Sequence, residues 1–490
     1  MARTDRTRSP EGLNESDRNH QRSGRGHGAV TAAIVLLCSV VLAGAIVGVE
    51  LTRGHVRGQV DFLRAANLIY LLCFAVAPAY LQVADTAAFR ASLWSWILRM
   101  PFHDSVYAYA SLLAVIGYPF MLGGYWLAVR HRRFVSLDRP PVTRSYLWVA
   151  WLVTGVAGLV ALLIYARSLG GWIIFLFQGA ALRSGTLTIV SPWAFLANVA
   201  PLVIGTMLLL FALRQYEPNG PRRWLATMLC AGFYLASLAV LFNQAGRAWL
   251  VSFLLTLPLI GAIQRDRLRL VHVLFGAVLF ILLFLFGRLF FQLARDPSRV
   301  LAGNIGGLGV AEAFRSFIWE FTFPIATLAN VIATVPEHAG LRWFYDFPLA
   351  LVYVVPQRLT GIMHEPTVSL VNTAMFGSTG MIPVDVLSLG YYSLLVPGAL
   401  LTATAVGAAL GLGERWLPGS TDPLRAGLRI SWIFTLAFRI MYADPQLFWR
   451  AGLSLFLTTA VVFAPAVLAR ALVPHPVRQS QVPQGSGAQS

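Results

Sequence analysis

Residues 29–49, AVTAAIVLLCSVVLAGAIVGV, contain no charged side chain and are long enough to cross a lipid bilayer as a helix. One crossing takes about 20 apolar residues, because a helix rises about 1.5 Å per residue through a hydrocarbon core about 30 Å thick. Lipid offers no partner for backbone polar groups, so each apolar run must be a helix. Ten further apolar runs occupy 65–83, 105–129, 145–166, 193–213, 224–243, 248–263, 270–290, 387–412, 428–443 and 447–470.

This pattern predicts an all-α, polytopic transmembrane helix bundle with about 11–12 spans. The composition agrees, since 57% of the 490 residues are hydrophobic and only 12% are charged. A soluble domain is about 25% charged, so an ordinary soluble enzyme is excluded. Three cysteines lie inside apolar runs, which excludes a disulfide framework, and the histidines are too scattered for a zinc site. We therefore expect no metal and no cofactor.

The net charge of +17 raises the question of nucleic acid, but the arginines cluster in short segments between apolar runs. Cytoplasmic loops of membrane proteins collect basic residues in this way. No nucleic-acid-binding motif is present, and we expect no nucleic acid partner. The segments predicted to be cytoplasmic are 130–144, 214–223, 265–269 and 413–427. The loops predicted to be external are 168–192, 244–247, 291–386 and 444–446.

The first quarter of the chain conflicts with this rule. Three apolar runs separate the Arg-rich tail 1–28 from the Arg-rich segment 130–144, so the two cannot both be cytoplasmic. Either a helix within 86–103 crosses the membrane as well, or the tail is external. We favour the extra helix and a disordered cytoplasmic tail. The remaining domains are N-terminal transmembrane helices at 29–290, a long external loop at 291–386, C-terminal transmembrane helices at 387–472 and a disordered tail at 473–490.

The external loop 291–386 is far longer than a connection between packed helices, which is typically about 2–8 residues. Its stretches 317–328 (FIWEFTFPIATL) and 343–356 (WFYDFPLALVYVVP) are apolar and aromatic, and predict short interfacial or re-entrant helices. We expect such a helix at 321–335. A long ordered loop on one face usually carries function, although a structural cap over the bundle is the alternative.

Several arginines lie at the predicted external face, where statistics disfavour them. Arg439 lies within an apolar run, where an arginine costs at least ~2.5 kcal/mol and usually faces a cavity or a partner. Arg247 follows Gly246 in a polar break between two runs. A shared anionic ligand would explain these residues, since the guanidinium fork binds phosphate in a bidentate way, although each could instead reach the lipid headgroups. The residues are Arg167, Arg183, Arg247, Arg288 and Arg439.

Three stretches carry a resemblance. They are the turn ending in Gly246-Arg247, residues 365–398 (EPTVSLVNTAMFGSTGMIPVDVLSLGYYSLLVPG), and Phe438-Arg439 near Asp444. Together with the long external loop, they resemble the Wzy-type O-antigen polymerases, also called oligosaccharide repeat unit polymerases. The likeness covers the layout of about residues 145–460, and O-antigen ligases share much of it.

The resemblance implies a metal-independent glycosyltransferase at the outer face of the plasma membrane. Such an enzyme polymerises polyprenyl-diphosphate-linked oligosaccharide repeat units into a surface polysaccharide. The diphosphate is already an activated leaving group, which agrees with the lack of any nucleotide-binding motif. Membrane lipid, a flippase and a chain-length regulator are the further partners that the resemblance implies.

The predicted catalytic residues are Arg247 and Arg439, which would stabilise the departing diphosphate, and Glu365, which would accept the acceptor proton. Glu365 could instead cap or pair locally, and the displacement could proceed without a base. The residues predicted to bind substrate are Arg183, Arg288, Arg358, His364, Asp385 and Tyr391.

Two other functions remain open at this point. A ligase would transfer the glycan to a different acceptor, with His338 or His364 of the loop as a further functional residue. A non-enzymatic transporter of lipid-linked glycans would show inverted repeats and mid-span charges, and neither is evident in the sequence.

Overall fold

The computed structural model describes residues 15–53, 61–83, 104–130, 143–179, 191–244, 246–264, 278, 282, 317–355, 361, 365–377 and 381–472. Side chains are described in these ranges except at 15–27, 247–248, 262 and 466–472. This part of the chain is helical and contains no β-strand. The helices are α1 Glu15–Thr52, α2 Phe62–Val83, α3 Ser105–Arg130, α4 Arg144–Ser168, α5 Trp172–Phe177, α6 Leu202–Tyr216, α7 Pro221–Gln244, α8 Arg247–Gln264, α9 Phe323–Thr334, α10 Asp346–Val352, α11 Val368–Phe376, α12 Val386–Trp416, α13 Pro423–Ala437 and α14 Pro445–Leu472.

Eight helices in the described ranges are long and apolar enough to cross a membrane. They match the predicted runs, which confirms the polytopic helical bundle. The shorter helices α8 and α13 lie within or beside two further predicted runs. The run 270–290 falls almost entirely outside the described residues. Spanning helices are the expected outcome, because each apolar run must satisfy its backbone hydrogen bonds within itself.

The Arg-rich segments flank one end of the bundle. Trp148 near the start of α4 donates to Glu217 after α6 over 2.9 Å, and Arg415 near the end of α12 donates to the Ala128 carbonyl over 3.2 Å. Gln264 at the end of α8 bonds to the α6 residue Gln215. We call this the cytoplasmic end, after its predicted side, and the opposite one the external end.

The first three long helices settle the conflict over the N-terminal tail. The Asn67 amide donates to Glu50 of α1 over 2.7 Å and accepts from Tyr118 of α3 over 3.3 Å, so α2 lies against both neighbours. The Arg53 guanidinium lies 5.7 Å from the ring centroid of Tyr125, which places the C-terminal ends of α1 and α3 together. The helices α1 and α3 therefore run in the same direction.

It follows that Gly28 and Arg130 lie at opposite ends of the bundle. The expectation that the tail and the segment 130–144 share the cytoplasmic side, through an extra crossing within 86–103, is not met. Val83 and Ser105 lie at the same end, because α2 is antiparallel to α3. The segment 86–103 itself lies outside the described residues. Arginine counts failed here because they are a statistical bias and carry no information on helix pairing.

The centre of the bundle is the contact between α3 and α12. A Cβ atom on Gly124 would lie 2.1 Å from the Thr404 carbonyl oxygen, and one on Gly407 would lie 1.9 Å from that of Met121. The two backbones therefore touch. Small residues on facing helices permit such close packing in membranes, where the hydrophobic effect does not drive helices together.

The helix α12 is a hairpin rather than one straight span. Leu394 and Leu395 have non-helical backbone angles, and Leu395 has a φ of +54°. The Thr402 hydroxyl donates to the Val386 carbonyl over 2.7 Å, although these residues would lie far apart in a straight helix. Residues 386–393 therefore fold back along residues 396–416. The predicted single span at 387–412 is wrong at its start, because hydropathy does not reveal chain reversal.

The first limb of the hairpin begins inside the bundle. A Cβ atom on Gly117, midway along α3, would lie 2.9 Å from the side chain of Leu387. The first limb of α12 thus starts deep in the bundle and climbs towards the external end. The short helix α9 lies in the region predicted at 321–335, and this prediction is confirmed. It is buried against the bundle, and α10 and α11 follow it in the loop.

Candidate functional site at the external end

Arg439 follows α13 in the 3-10 turn Phe438–Ile440 and is only 7% exposed. Its Nε donates to the Thr435 carbonyl over 3.1 Å, and its Cζ lies 5.9 Å from the ring centroid of Trp249 and 5.4 Å from that of Phe448. Its Nη1 is buried and has no hydrogen-bond partner among the described residues. The guanidinium is therefore held between two aromatic rings with unused donor capacity.

Arg450, in the second turn of α14, is a second cation of this kind, and the sequence analysis missed it. It is half-buried, and its Nη2 reaches the Tyr353 carbonyl at 3.5 Å. Its Nε is buried without a partner in the part of the chain that the structure describes. The signal was present, because Arg450 lies within the predicted apolar run 447–470 as Arg439 lies within the run 428–443.

Asp444 lies between the two arginines in the chain and is fully buried. Its Oδ1 accepts from the backbone N–H groups of Gln446 at 2.8 Å and Leu447 at 3.3 Å, so it caps α14. Its Oδ2 accepts from the backbone N–H of Ser369 at 3.4 Å. Asp444 attracts both guanidinium groups electrostatically, yet neither forms a salt bridge with a described residue.

These three side chains leave the site with an excess of positive charge. The guanidinium groups of Arg439 and Arg450 carry one charge each, and Asp444 is the carboxylate that both face. Taking charges out of water costs several kcal/mol per ion unless a partner compensates. An anion of the right size would complete the site.

A cleft with a mixed polar and apolar lining lies beside Arg450. Its volume is about 340 Å³, within the range of about 300–1,000 Å³ that is typical of ligand sites. Three carboxamide side chains line it together with the arginine, namely those of Asn198, Asn243 and Gln244. Amide groups both donate and accept hydrogen bonds, as the hydroxyl groups of a sugar require.

An apolar cavity adjoins the cleft. It lies among α6, α8, α13 and α14, and Gln244 and Ala451 line both spaces. Trp249 and Thr435, which contact Arg439, line this cavity too. The arrangement places a cleft that holds one arginine and three amide side chains next to a more apolar cavity. It suits a ligand with an anionic head and an apolar chain.

The predicted catalytic residue Arg247 begins α8, and its side chain is not among those described. Trp249, two residues further on, provides one of the rings that flank Arg439. The structure thus brings the start of α8 to the corner that Arg439 occupies. Arg247 and Arg439 are far apart in the sequence and were predicted separately. The fold brings the backbone at Arg247 close to Arg439.

The third predicted catalytic residue, Glu365, is exposed and connects to the same corner through Tyr353. The Tyr353 hydroxyl donates to the Glu365 carbonyl over 2.7 Å, while the Tyr353 carbonyl accepts from Arg450. The Glu365 carboxylate also interacts with Tyr345 and Arg342.

A buried ion pair holds the loop that carries Glu365. Arg342 donates to both oxygens of Asp346, with Nε–Oδ2 at 2.6 Å and Nη2–Oδ1 at 2.7 Å, and it donates further to the Pro366 carbonyl over 2.8 Å. Asp346 also accepts from the Val368 N–H at 3.2 Å. Burial lowers the pKa of Arg342, but the hydrogen bonds and charge of Asp346 raise it more, so the net shift is upward.

Two predicted substrate-binding residues lie elsewhere. Asp385 is fully buried and caps α12 by accepting from the N–H groups of Leu387 at 2.9 Å and Ser388 at 3.1 Å. Tyr391 is buried in the folded-back limb of the same helix. Neither lines the cleft beside Arg450. The four others, Arg183, Arg288, Arg358 and His364, lie outside the described residues.

The described residues contain no group of three or more histidine, cysteine, aspartate or glutamate side chains that could hold a metal ion. Cys38, Cys73 and Cys230 are buried free thiols. No protein-family model, curated protein or solved structure matches the chain.

Proposed function

We propose that this protein is a glycosyltransferase that polymerises polyprenyl-diphosphate-linked oligosaccharide units at the outer face of the plasma membrane. The observation that carries the proposal is the pair Arg439 and Arg450. Both arginines have buried N–H groups without partners in the described chain. Arg450 lines a cleft, and Trp249 and Thr435, which contact Arg439, line the apolar cavity that adjoins this cleft.

The diphosphate group of the donor substrate would explain why the site carries two arginines. A diphosphate is multiply anionic, and guanidinium groups bind its oxygens through directed hydrogen bonds. One buried carboxylate, Asp444, faces two arginines, so a bound diphosphate would compensate a charge that the described residues leave open. A site for a neutral glycan alone would not need these cations.

The remaining parts of the donor account for the two compartments. Sugar hydroxyl groups would occupy the cleft beside Asn198, Asn243 and Gln244. The first isoprene units would occupy the apolar cavity that Trp249 helps to line. The membrane-spanning bundle would keep the site at the depth of the lipid headgroups, where such a donor is found.

The reaction is a displacement at the anomeric carbon of the donor's first sugar. A hydroxyl oxygen of the acceptor glycan forms the new C–O bond, while the bond from that carbon to the diphosphate oxygen breaks. Arg439 and Arg450 would stabilise the negative charge that develops on the leaving lipid diphosphate. The hydroxyl proton would pass to the carboxylate of Glu365, an exposed residue whose backbone carbonyl is joined to Arg450 through Tyr353.

In the cell, this activity needs lipid-linked repeat units on the outer leaflet, so we propose that a flippase supplies them. A chain-length regulator would act with the polymerase. The plasma membrane is the expected location, because polyprenyl-diphosphate-linked units are displayed on its outer face.

The test is chain extension by the purified protein in lipid vesicles that contain a polyprenyl-diphosphate-linked oligosaccharide. Wild-type protein should convert single units into a ladder of longer chains, and Arg439→Ala should not. Arg223→Ala is the matched control, because Arg223 is exposed at the cytoplasmic end. A wild-type protein that moves the lipid across the bilayer without forming glycosidic bonds would be a transporter, which would overturn the proposal.

The polymerase and ligase alternatives differ in the products that a deletion strain accumulates. A polymerase defect leaves single repeat units, whether on lipid or on their final acceptor. A ligase defect leaves long chains without their acceptor. The second result would replace the polymerase by a ligase at the same site.

A further inference from the structure

We propose that Asp444 determines how strongly the external site holds its anion, by keeping the combined charge of Arg439, Arg450 and Asp444 at one net positive charge. This inference rests on the proposed function, since it concerns the release of the diphosphate. The residue would act as a counter-charge that lets the product depart after each transfer.

The position of Asp444 is the first argument. It is fully buried and occupies the turn between the end of α13 and the start of α14, with Arg439 before it and Arg450 after it. Its charge acts on both guanidinium groups. No other side chain in the described chain has this relation to both arginines.

The hydrogen bonds of Asp444 are the second argument. Both of its oxygens accept from backbone N–H groups, those of Gln446, Leu447 and Ser369. The carboxylate therefore does not occupy the arginine donors by a direct salt bridge. Arg439 Nη1 and Arg450 Nε keep hydrogen-bond donors that no described residue uses, while the field of the carboxylate lowers the positive potential at the site.

The consequence for the reaction is a compromise between binding and release. A site with two uncompensated arginines would hold lipid diphosphate more tightly as substrate and as product alike. Binding both equally well lowers KM without speeding the chemical step, and tight product binding delays the next cycle. A buried carboxylate between the arginines reduces this excess affinity.

The substitution Asp444→Asn removes the negative charge of the side chain and keeps an oxygen that can cap α14. Asparagine caps helices about as well as aspartate, so α14 should keep its start. The chain provides a matched control in Asp422→Asn. Asp422 also precedes a proline and caps a helix, α13, by accepting from the Arg425 N–H at 3.0 Å, but it lies at the cytoplasmic end.

The experiment is calorimetric titration of inorganic pyrophosphate into the purified full-length chain in lipid nanodiscs. We expect Asp444→Asn to bind pyrophosphate roughly tenfold or more tightly than wild type, because a negative charge near the anion has been removed. Asp422→Asn should bind as wild type does. In chain extension, Asp444→Asn should show lower KM, lower kcat and stronger inhibition by pyrophosphate.

The outcomes separate the two proposals. Binding of pyrophosphate to wild type with equal or weaker binding to a folded Asp444→Asn overturns the role of Asp444 and leaves the anion site standing. If neither protein binds pyrophosphate, both proposals fail. Arg450→Gln provides a test that does not depend on the folding of the aspartate variant. It should weaken binding about as much as Asp444→Asn strengthens it, and unchanged binding would count against the charge balance.

Discussion

Each end of the bundle contains a buried arginine, and the two arginines differ in their hydrogen-bond and ion-pair partners. At the cytoplasmic end, Arg429 is 1% exposed, lies 2.5 Å from Glu414 through its Nη2 and also donates to the Leu417 carbonyl. Glu414 in turn accepts from the Phe62 N–H over 3.2 Å. At the external end, Arg439 is 7% exposed, donates to one carbonyl and leaves Nη1 without a described partner.

The comparison teaches that burial of a cation does not by itself mark a binding site. Arg429 joins α13 to α12 and α2 and has a compensating carboxylate, which is sufficient reason for its position. Arg439 has aromatic neighbours and open donors next to a cavity. The distinguishing feature is the uncompensated charge, because a protein gains nothing in stability from it.

The largest effect on stability is expected at the cytoplasmic end. Glu414→Ala should lower the free energy of unfolding by about 3–5 kcal/mol, because it leaves the charge of Arg429 buried and unpaired. Unfolding of the purified protein in detergent, followed by circular dichroism, measures the loss. Arg439→Ala is the comparison variant and should change stability little. Equal losses in the two variants would remove the distinction between the ends.

The largest effect on activity is expected at the external end. Arg439→Ala and Arg247→Ala should each reduce chain extension by roughly 100–1,000-fold, the loss typical when one donor to a developing negative charge is removed. Both proteins should still insert into the membrane. Arg→Lys should rescue poorly, because an ammonium group lacks the planar fork. Normal polymer length in both alanine variants would refute the assignment of the site.

An intermediate effect on stability is expected when the ion pair between Arg342 and Asp346 in the external loop is broken. Asp346→Asn removes the negative partner of Arg342, and should cost about 1.5–3 kcal/mol of unfolding free energy, as charged hydrogen bonds typically do. Limited proteolysis between residues 342 and 368 should become faster. Glu337→Gln, at an exposed loop position, is the control and should leave both measurements unchanged. Wild-type behaviour of Asp346→Asn would show that pairing does not hold this loop.

The smallest perturbation tests which end is external. Glu337→Cys should react with a membrane-impermeant thiol reagent added outside intact cells, whereas Arg223→Cys should react only after the cells are opened. The native cysteines are buried and should contribute little background. A reporter fused within 320–350 should likewise read as external. A cytoplasmic signal from either probe would reverse the ends and with them the proposed mechanism.

Much of the fold could be predicted because the cost of exposing backbone to lipid leaves apolar runs no other structure. The run at 29–49 shows this directly, because it lies within the apolar part of α1, Gly28–Thr52. The hairpin of α12 could not be predicted, since residues 386–413 contain no charged side chain that would mark the reversal, and both limbs contact α3. The orientation of α1 was missed for a similar reason, as hydropathy does not show which helices run parallel.

The candidate site was predictable only where a charged residue interrupts an apolar run. Arg439 attracted notice because it interrupts an apolar run, and it lies beside a cavity-lining tryptophan. Arg450 also interrupts an apolar run, but it is only the fourth residue of the run 447–470 and is therefore less conspicuous. The sequence offered no means of separating Asp385, which caps a helix, from Asp444, which faces two arginines. That distinction depends on distances across the fold.

The hairpin of α12 has a consequence for biosynthesis. During synthesis, residues 386–416 reach the translocon as one largely hydrophobic segment. The translocon recognises such a segment by its overall hydrophobicity. The reversal at Leu394 and Leu395 must then arise within the bilayer, once α3 offers the glycine surface on which both limbs rest. A chain from which α3 has been deleted would lack this surface, and we expect residues 386–416 to insert there as one straight membrane-spanning helix.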